Sequence, residues 1–91
     1  MRINFKQEEL IKKLMKAIRR KFPEVRLIDV TESPDDPEIF WLNMTAPEDE
    51  DREIELLRFG SKKVTDIMLD YGCYFLIMPN NARDKEILLA A

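Results

Sequence analysis

The sequence predicts an α+β fold, a two-layer sandwich in which two helices cover one face of a three-stranded mixed sheet. Two long stretches, residues 4–22 and 45–72, repeat apolar residues at the spacing of an amphipathic helix. Three shorter stretches, residues 25–30, 39–44 and 73–79, are rich in β-branched, aromatic and other apolar residues, as strands are. The order α-β-β-α-β, with a further short helix at the end, therefore favours a small sandwich.

The first helix has clear start and stop signals. Asn4 and Gln7 have the spacing of a capping box, and Pro23 ends the helix. The rest of its surface is rich in lysine and arginine, which could contact phosphates. A solvated helix face is the simpler interpretation, because the net charge is −3 and no aromatic residues alternate with the cations. We therefore expect no nucleic-acid partner.

The first two strands are predicted at Val25–Val30 and Ile39–Met44. The segment between them, about eight residues long, is turn-rich and contains two prolines, which favours an antiparallel pair. The second strand has apolar residues on both faces, so we expect both faces to be covered.

The second helix is predicted to start at a capping box formed by Thr45 and Glu48 and to stop at Gly72 in a left-handed conformation. Leu56 and Phe59 are predicted to lie on a partly exposed flank. The inward stripe is predicted to consist of Ile54, Leu57, Ser61, Val64, Ile67 and Met68.

The third strand, "CYFLIMP", follows this helix, so a right-handed crossover should make it parallel to the second strand. The remaining residues, 80–91, are predicted to form a turn and a short helix.

Two helices can cover only one face of the sheet, which leaves an apolar face open. From sequence alone, that face holds either the set with Ile39 and Trp41 or the alternate set with Phe40 and Leu42. On the third strand, the same face holds either the alternate set that includes Tyr74 or the one that includes Cys73. The C-terminal segment or a second chain should cover it. The interface that we predict consists of Ile39, Trp41, Tyr74, Leu76 and Met78, with Leu56 and Phe59 on the flank.

The composition restricts the chemistry. Residues 1–91 are expected to form one domain. The chain has no histidine, which removes the commonest metal ligand and general base, and its single Cys73 cannot form an intrachain disulfide. The N-terminus lacks the apolar run of a signal peptide, and no apolar run approaches the roughly 20 residues of a membrane span. We therefore expect a cytoplasmic protein that is not an enzyme and uses no cofactor.

Charge is distributed unevenly along the chain. Residues 1–26 hold nine Lys and Arg and three acids, whereas residues 27–55 hold one Arg and eleven acids. This polarity favours association of acidic with basic surfaces.

The acidic loop raises one alternative. Asp36 and Glu38 form an Asp-x-Glu pattern before the second strand, and "FPEVRLIDV", "DDPEIFWLNM" and "SKKVTDIMLDYGCYFLIMP" follow in order. Over residues 7–79 the chain resembles a degenerate minimal nucleotidyltransferase, without that family's Gly-Ser loop and third carboxylate. The resemblance implies that Asp36 and Glu38 hold Mg²⁺ with a nucleotide. The simpler interpretation is an acidic turn that keeps the loop solvated.

The two functional hypotheses are therefore a non-enzymatic interaction module and an active or vestigial nucleotide-binding domain. The open apolar face and the uneven charge favour the first, either as a homo-oligomer or with a different protein partner.

Overall fold

The local signals of the first helix set its bounds as expected. The computed structural model of the protein describes residues 3–80. Helix α1 spans Phe5–Lys21, and the Asn4 side chain accepts a hydrogen bond from the backbone N–H of Gln7 while the Gln7 side chain accepts one from Asn4. The predicted capping box is confirmed. The short C-terminal helix predicted after residue 80 lies outside the described residues.

Three strands form one mixed sheet. Strand β1 spans Leu27–Glu32, β2 spans Ile39–Thr45 and β3 spans Tyr74–Asn80. The order is β1-β2-β3, with β1 antiparallel and β3 parallel to β2. The fold is therefore the α+β arrangement that the sequence predicts, and β2 lies at the centre of the sheet.

Strand β1 begins two residues later than predicted. Val25 is fully buried, and its N–H donates to the carbonyl of Phe22 in the turn after α1. Its apolar side chain therefore belongs to the core beneath the helix end and not to the strand. At the other end, Thr31 and Glu32 extend β1, because they pair with Trp41 and Phe40 of β2.

The long helix α2 spans Glu50–Tyr71 and also begins later than predicted. Its N-cap is Asp49, whose carboxylate accepts a hydrogen bond from the N–H of Asp51. The predicted Thr45–Glu48 capping box is wrong, because Thr45 is the last residue of β2 and its Oγ1 accepts the N–H of Arg26. Gly72 ends the helix at φ 69°, as predicted.

Both helices pack against one face of the sheet. Every second residue of β2 faces them, and two of the three side chains in this set, Leu42 and Met44, are completely buried. Helix α1 contributes five buried side chains. The core consists of Leu10, Ile11, Leu14, Met15, Ile18, Phe22, Val25, Phe40, Leu42, Met44, Leu56, Phe75 and Ile77.

An ion pair joins the start of α2 to the turn after α1. The Arg52 guanidinium donates to both carboxylate oxygens of Glu24, at 2.8 and 2.9 Å, and to the carbonyl of Lys21 at 3.3 Å. This hydrogen bonding lowers the pKa of Glu24 and raises the pKa of Arg52. Bidentate geometry is the more specific form of an arginine–carboxylate contact, so the pair fixes the two helix ends relative to each other.

Neither helix between residues 3 and 80 combines the length and the apolar character that crossing a membrane requires.

Candidate functional site

The sheet face opposite the helices is built by strict alternation along β2 and β3. The inward residues on β3 are Phe75 and Ile77, so their neighbours point to the other face. The parallel register aligns the outward residues in three rows. These rows are Ile39 with Tyr74, Trp41 with Leu76, and Asn43 with Met78. Five of the seven predicted interface residues therefore lie together on this face, and the ambiguity left by the sequence is resolved.

The apolar part of this face is open to solvent along β3. Tyr74 and Leu76 are each 46 % exposed, while Ile39, Trp41 and Met78 are half-buried. We call these five residues the apolar stripe. Because β3 lies at the edge of the sheet within residues 3–80, the stripe runs to that edge.

The part of the same face next to β1 is polar. The side-chain amide of Asn43 donates to the carboxylate of Asp29 at 2.7 Å and to Oγ1 of Thr31 at 3.1 Å. Asp29 is also the backbone partner of Asn43 in the antiparallel register. The cross-strand network therefore gives the open face one hydrophilic side and one apolar side.

Trp41 lies where the two sides meet. Its backbone partners are Thr31 on β1 and Leu76 on β3. The indole Nε1 is buried, yet it has no hydrogen-bond acceptor among residues 3–80. A buried tryptophan N–H usually finds a partner. The open face therefore holds an unused donor beside its apolar residues.

Two of the predicted interface residues do not belong to this face. Leu56 is completely buried in the core, and Phe59 is half-buried, with its ring 6.1 Å from that of Phe22. The predicted partly exposed flank is therefore wrong for Leu56, whereas Phe59 is partly exposed as predicted. Both face inward because α2 is rotated relative to the predicted stripe, which places Ile54 and Leu57 at 49 % and 39 % exposure.

Gly60 lies on the face of α2 that turns towards the sheet. It is buried on α2 against the side chain of Ile77 on β3. A residue without a side chain lets the helix backbone approach the sheet closely. The positions one turn before and after Gly60 on the same helix face, Leu56 and Val64, then pack inward. In the sequence, the glycine inside a helical pattern was the signal that could have identified this inward face of α2.

Asp36 and Glu38, the predicted cation ligands, lie in the loop that precedes β2. Oδ1 of Asp36 accepts the N–H of Glu38 at 3.0 Å, and the carbonyl of Asp36 accepts the N–H of Ile39 at 3.1 Å. Asp36 thus shapes the turn into β2. Within residues 3–80, no three carboxylate, cysteine or histidine side chains lie close enough to share a metal ion. Mg²⁺ held by this pair would need further oxygen ligands from water or from the phosphates of a nucleotide.

No protein-family model matches this sequence, and no curated protein and no solved structure matches it either.

Proposed function

We propose that this protein is a non-enzymatic interaction module, which binds a second copy or another protein through the apolar stripe. The observation that carries the proposal is the exposure of Tyr74 and Leu76, 46 % each, beside Trp41 on one flat sheet face. Aromatic and long apolar side chains are the residues that dominate binding energy at protein interfaces. A partner on this face gains by removing them from water.

The boundary of the stripe supports the same function. The Asn43 network satisfies polar groups on the β1 side, so that side can stay hydrated at the rim of an interface. We place this activity in the cytoplasm, consistent with a chain that carries a single cysteine.

Light scattering after size-exclusion chromatography tests the proposal in about 0.5 M NaCl, where contributions from surface charge are screened. We expect the native protein to associate with itself, or with a partner recovered by cross-linking in cells. Leu76→Asp should abolish that association. The matched control is Leu69→Asp, because Leu69 is 74 % exposed on α2 and lies outside the sheet. Association that survives Leu76→Asp, or that Leu69→Asp abolishes equally, contradicts the proposal.

The alternative is an active or vestigial nucleotidyltransferase-like domain that binds Mg²⁺ with a nucleotide. One observation favours it: Asp36 and Glu38 lie directly before the central strand β2, in a chain with the element order α-β-β-α-β. The engagement of Asp36 in its own turn weighs against it. The nucleotidyltransferase resemblance stays a prediction.

A further inference from the structure

A second surface, separate from the apolar stripe, carries strong positive charge. Two adjoining shallow depressions run along the exposed side of α1 towards β1, and they share Lys12, Met15 and Arg19. We call this surface the basic groove. Its charged lining residues are Lys12, Lys16, Arg19, Arg20 and Arg26, and no acidic residue among residues 3–80 lines it.

Most of these cations lack an ionic partner. Lys12 lies 3.4 Å from Glu8 on the same helix. Lys16, Arg19, Arg20 and Arg26 have no carboxylate within 4.0 Å among the described residues. Like charges concentrated along a groove raise the local potential and attract an anionic partner.

The start of α2 has the opposite charge. Glu48, Asp49, Glu50 and Asp51 follow one another along the chain, and all four are exposed. We call these four residues the acidic start. Asp49 caps the helix, while none of the four forms an ion pair within residues 3–80. The positive end of the helix dipole stabilises these acidic side chains. Their charge nevertheless stays exposed and can interact with a partner.

The two surfaces are neighbours. Arg26 lines the basic groove and also lines a further depression that includes Glu48 and Asp49. The Arg52–Glu24 ion pair lies in the same depression. The ion pair therefore holds the acidic start beside the groove.

We propose that the basic groove binds the acidic start of a second copy of this chain, in a two-fold symmetric pair. A surface with adjacent positive and negative halves is self-complementary under a two-fold rotation, because each half meets its opposite on the other copy. Each pair then contains two identical contacts. This association does not depend on the apolar stripe.

A nucleic acid fits the same groove less well. Its continuous phosphate backbone would also approach the neighbouring acidic start, which repels it. The groove offers no aromatic side chain on which a base could stack, since its uncharged lining residues are Met15, Pro23, Ile11 and Leu27. A second copy, in contrast, supplies a compact cluster of carboxylates.

Sedimentation velocity of the full chain at two salt concentrations is the first test. In about 50 mM NaCl we expect a dimer, and in about 0.5 M NaCl we expect its dissociation constant to rise at least about tenfold, because salt screens exposed ion pairs. A mass that does not change with salt overturns the proposal, whether the protein is then monomeric or associated.

Charge reversal locates the contact. Arg19→Glu/Arg20→Glu lowers the groove from five positive charges to a net charge of one. Glu48→Lys/Glu50→Lys removes the net negative charge of the acidic start while leaving the Asp49 cap in place. We expect each variant alone to lose the dimer formed at low salt. An equimolar mixture of the two should partly recover it, because one contact of the mixed pair joins the unchanged groove of one variant to the unchanged acidic start of the other. The control is Arg58→Glu/Lys62→Glu, since both cations are exposed on α2 outside the groove.

Failure of the mixture to recover the dimer, or equal loss in the control, overturns the proposal. If a variant fails to fold by circular dichroism, Arg19→Gln/Arg20→Gln and Glu48→Gln/Glu50→Gln replace the reversals, and each should weaken the dimer.

Leu76→Asp distinguishes association through the apolar stripe from association through the basic groove. An association that this variant removes and that charge reversal leaves intact belongs to the apolar stripe, and it overturns the groove contact alone.

Discussion

The backbone of Gly60 on α2 lies directly against the side chain of Ile77 on β3. A β-carbon built at Gly60 would overlap Cδ1 of Ile77, and Ile77 is itself buried beneath the helix. Glycine inside a helix costs about 1 kcal/mol relative to alanine. Close approach of helix to sheet offsets that cost, so Gly60 sets the distance between the two layers.

Gly60→Ala should therefore destabilise the protein, although alanine favours the helix. Overpacking in a core costs about 1–3 kcal/mol, which exceeds the gain in helix propensity at the upper end of that range. We expect a net loss of about 1 kcal/mol in the free energy of unfolding by urea titration. Ser61→Ala is the control, since Ser61 is exposed on the same helix and should be neutral or slightly stabilising.

Ile77→Val removes the overlapping Cδ1 atom and supplies the rescue. The double variant Gly60→Ala/Ile77→Val should be more stable than the sum of the two single changes predicts, because the methyl groups no longer compete for one space. If the losses in the free energy of unfolding are simply additive, the protein relieves the overlap by moving other atoms.

Trp41→Phe should change the free energy of unfolding by less than about 1 kcal/mol, because the lost ring area is offset by removal of a buried donor whose isolation costs about 1–3 kcal/mol. Trp41→Ala, which removes the whole ring, should cost at least about 2 kcal/mol. Circular dichroism must follow both transitions, since Trp41 is the only tryptophan. A loss above about 2 kcal/mol in Trp41→Phe would mean that the indole N–H has an acceptor.

The Glu24–Arg52 pair predicts a pH dependence. Hydrogen bonding to Arg52 lowers the pKa of Glu24 in the folded protein. Its contribution to stability is therefore complete above the unfolded value, about 4.3, and is lost as pH falls through the folded value. The stability difference between the native protein and Glu24→Gln should be small, because the pair is solvent-exposed, and it should disappear in acid.

Urea titrations from neutral pH to about pH 3 check this dependence. Glu9→Gln is the matched control, because Glu9 is exposed on α1 and has no ion pair among residues 3–80. A difference for Glu24→Gln that grows towards low pH would contradict the assigned direction of the pKa.

A thermal-shift assay with millimolar Mg²⁺ and ATP distinguishes the nucleotide-binding alternative. We expect the melting temperature to change by less than about 1 °C, because the Asp36 carboxylate already accepts the N–H of Glu38. A larger stabilisation that Asp36→Ala removes and the exposed neighbour Asp35→Ala retains would favour the nucleotidyltransferase-like domain.

Signals confined to a few neighbouring residues were sufficient to predict several features. The Asn4–Gln7 capping box and the left-handed Gly72 appear as expected, because each depends on backbone groups within one helical turn. The strand pairing also follows, since a short loop favours antiparallel strands and a helical crossover favours parallel ones.

The features that the sequence did not predict depend on contacts between distant residues. Thr45 has capping-box spacing with Glu48, but its hydroxyl accepts the N–H of Arg26, 19 residues away, across the sheet. Leu56 lies off the apolar stripe predicted for α2, yet it is buried one turn before Gly60, which lies against Ile77 of β3. For the open face, the sequence left two alternate sets possible, and the choice between them required the register of β2 with β3.

The register shift between Leu27 and Asp29 gives the two edges of the sheet different susceptibility to aggregation. Strand β1 is irregular there and carries Asp29 and Glu32, and both a bulge and charge discourage further strands from adding to an edge. Strand β3, Tyr74–Asn80, contains no charged residue. Of the two sheet edges that residues 3–80 form, β3 is therefore the one that opposes the addition of a further strand less. Two copies joined at β3 would form a six-stranded sheet that ends in β1 on both sides.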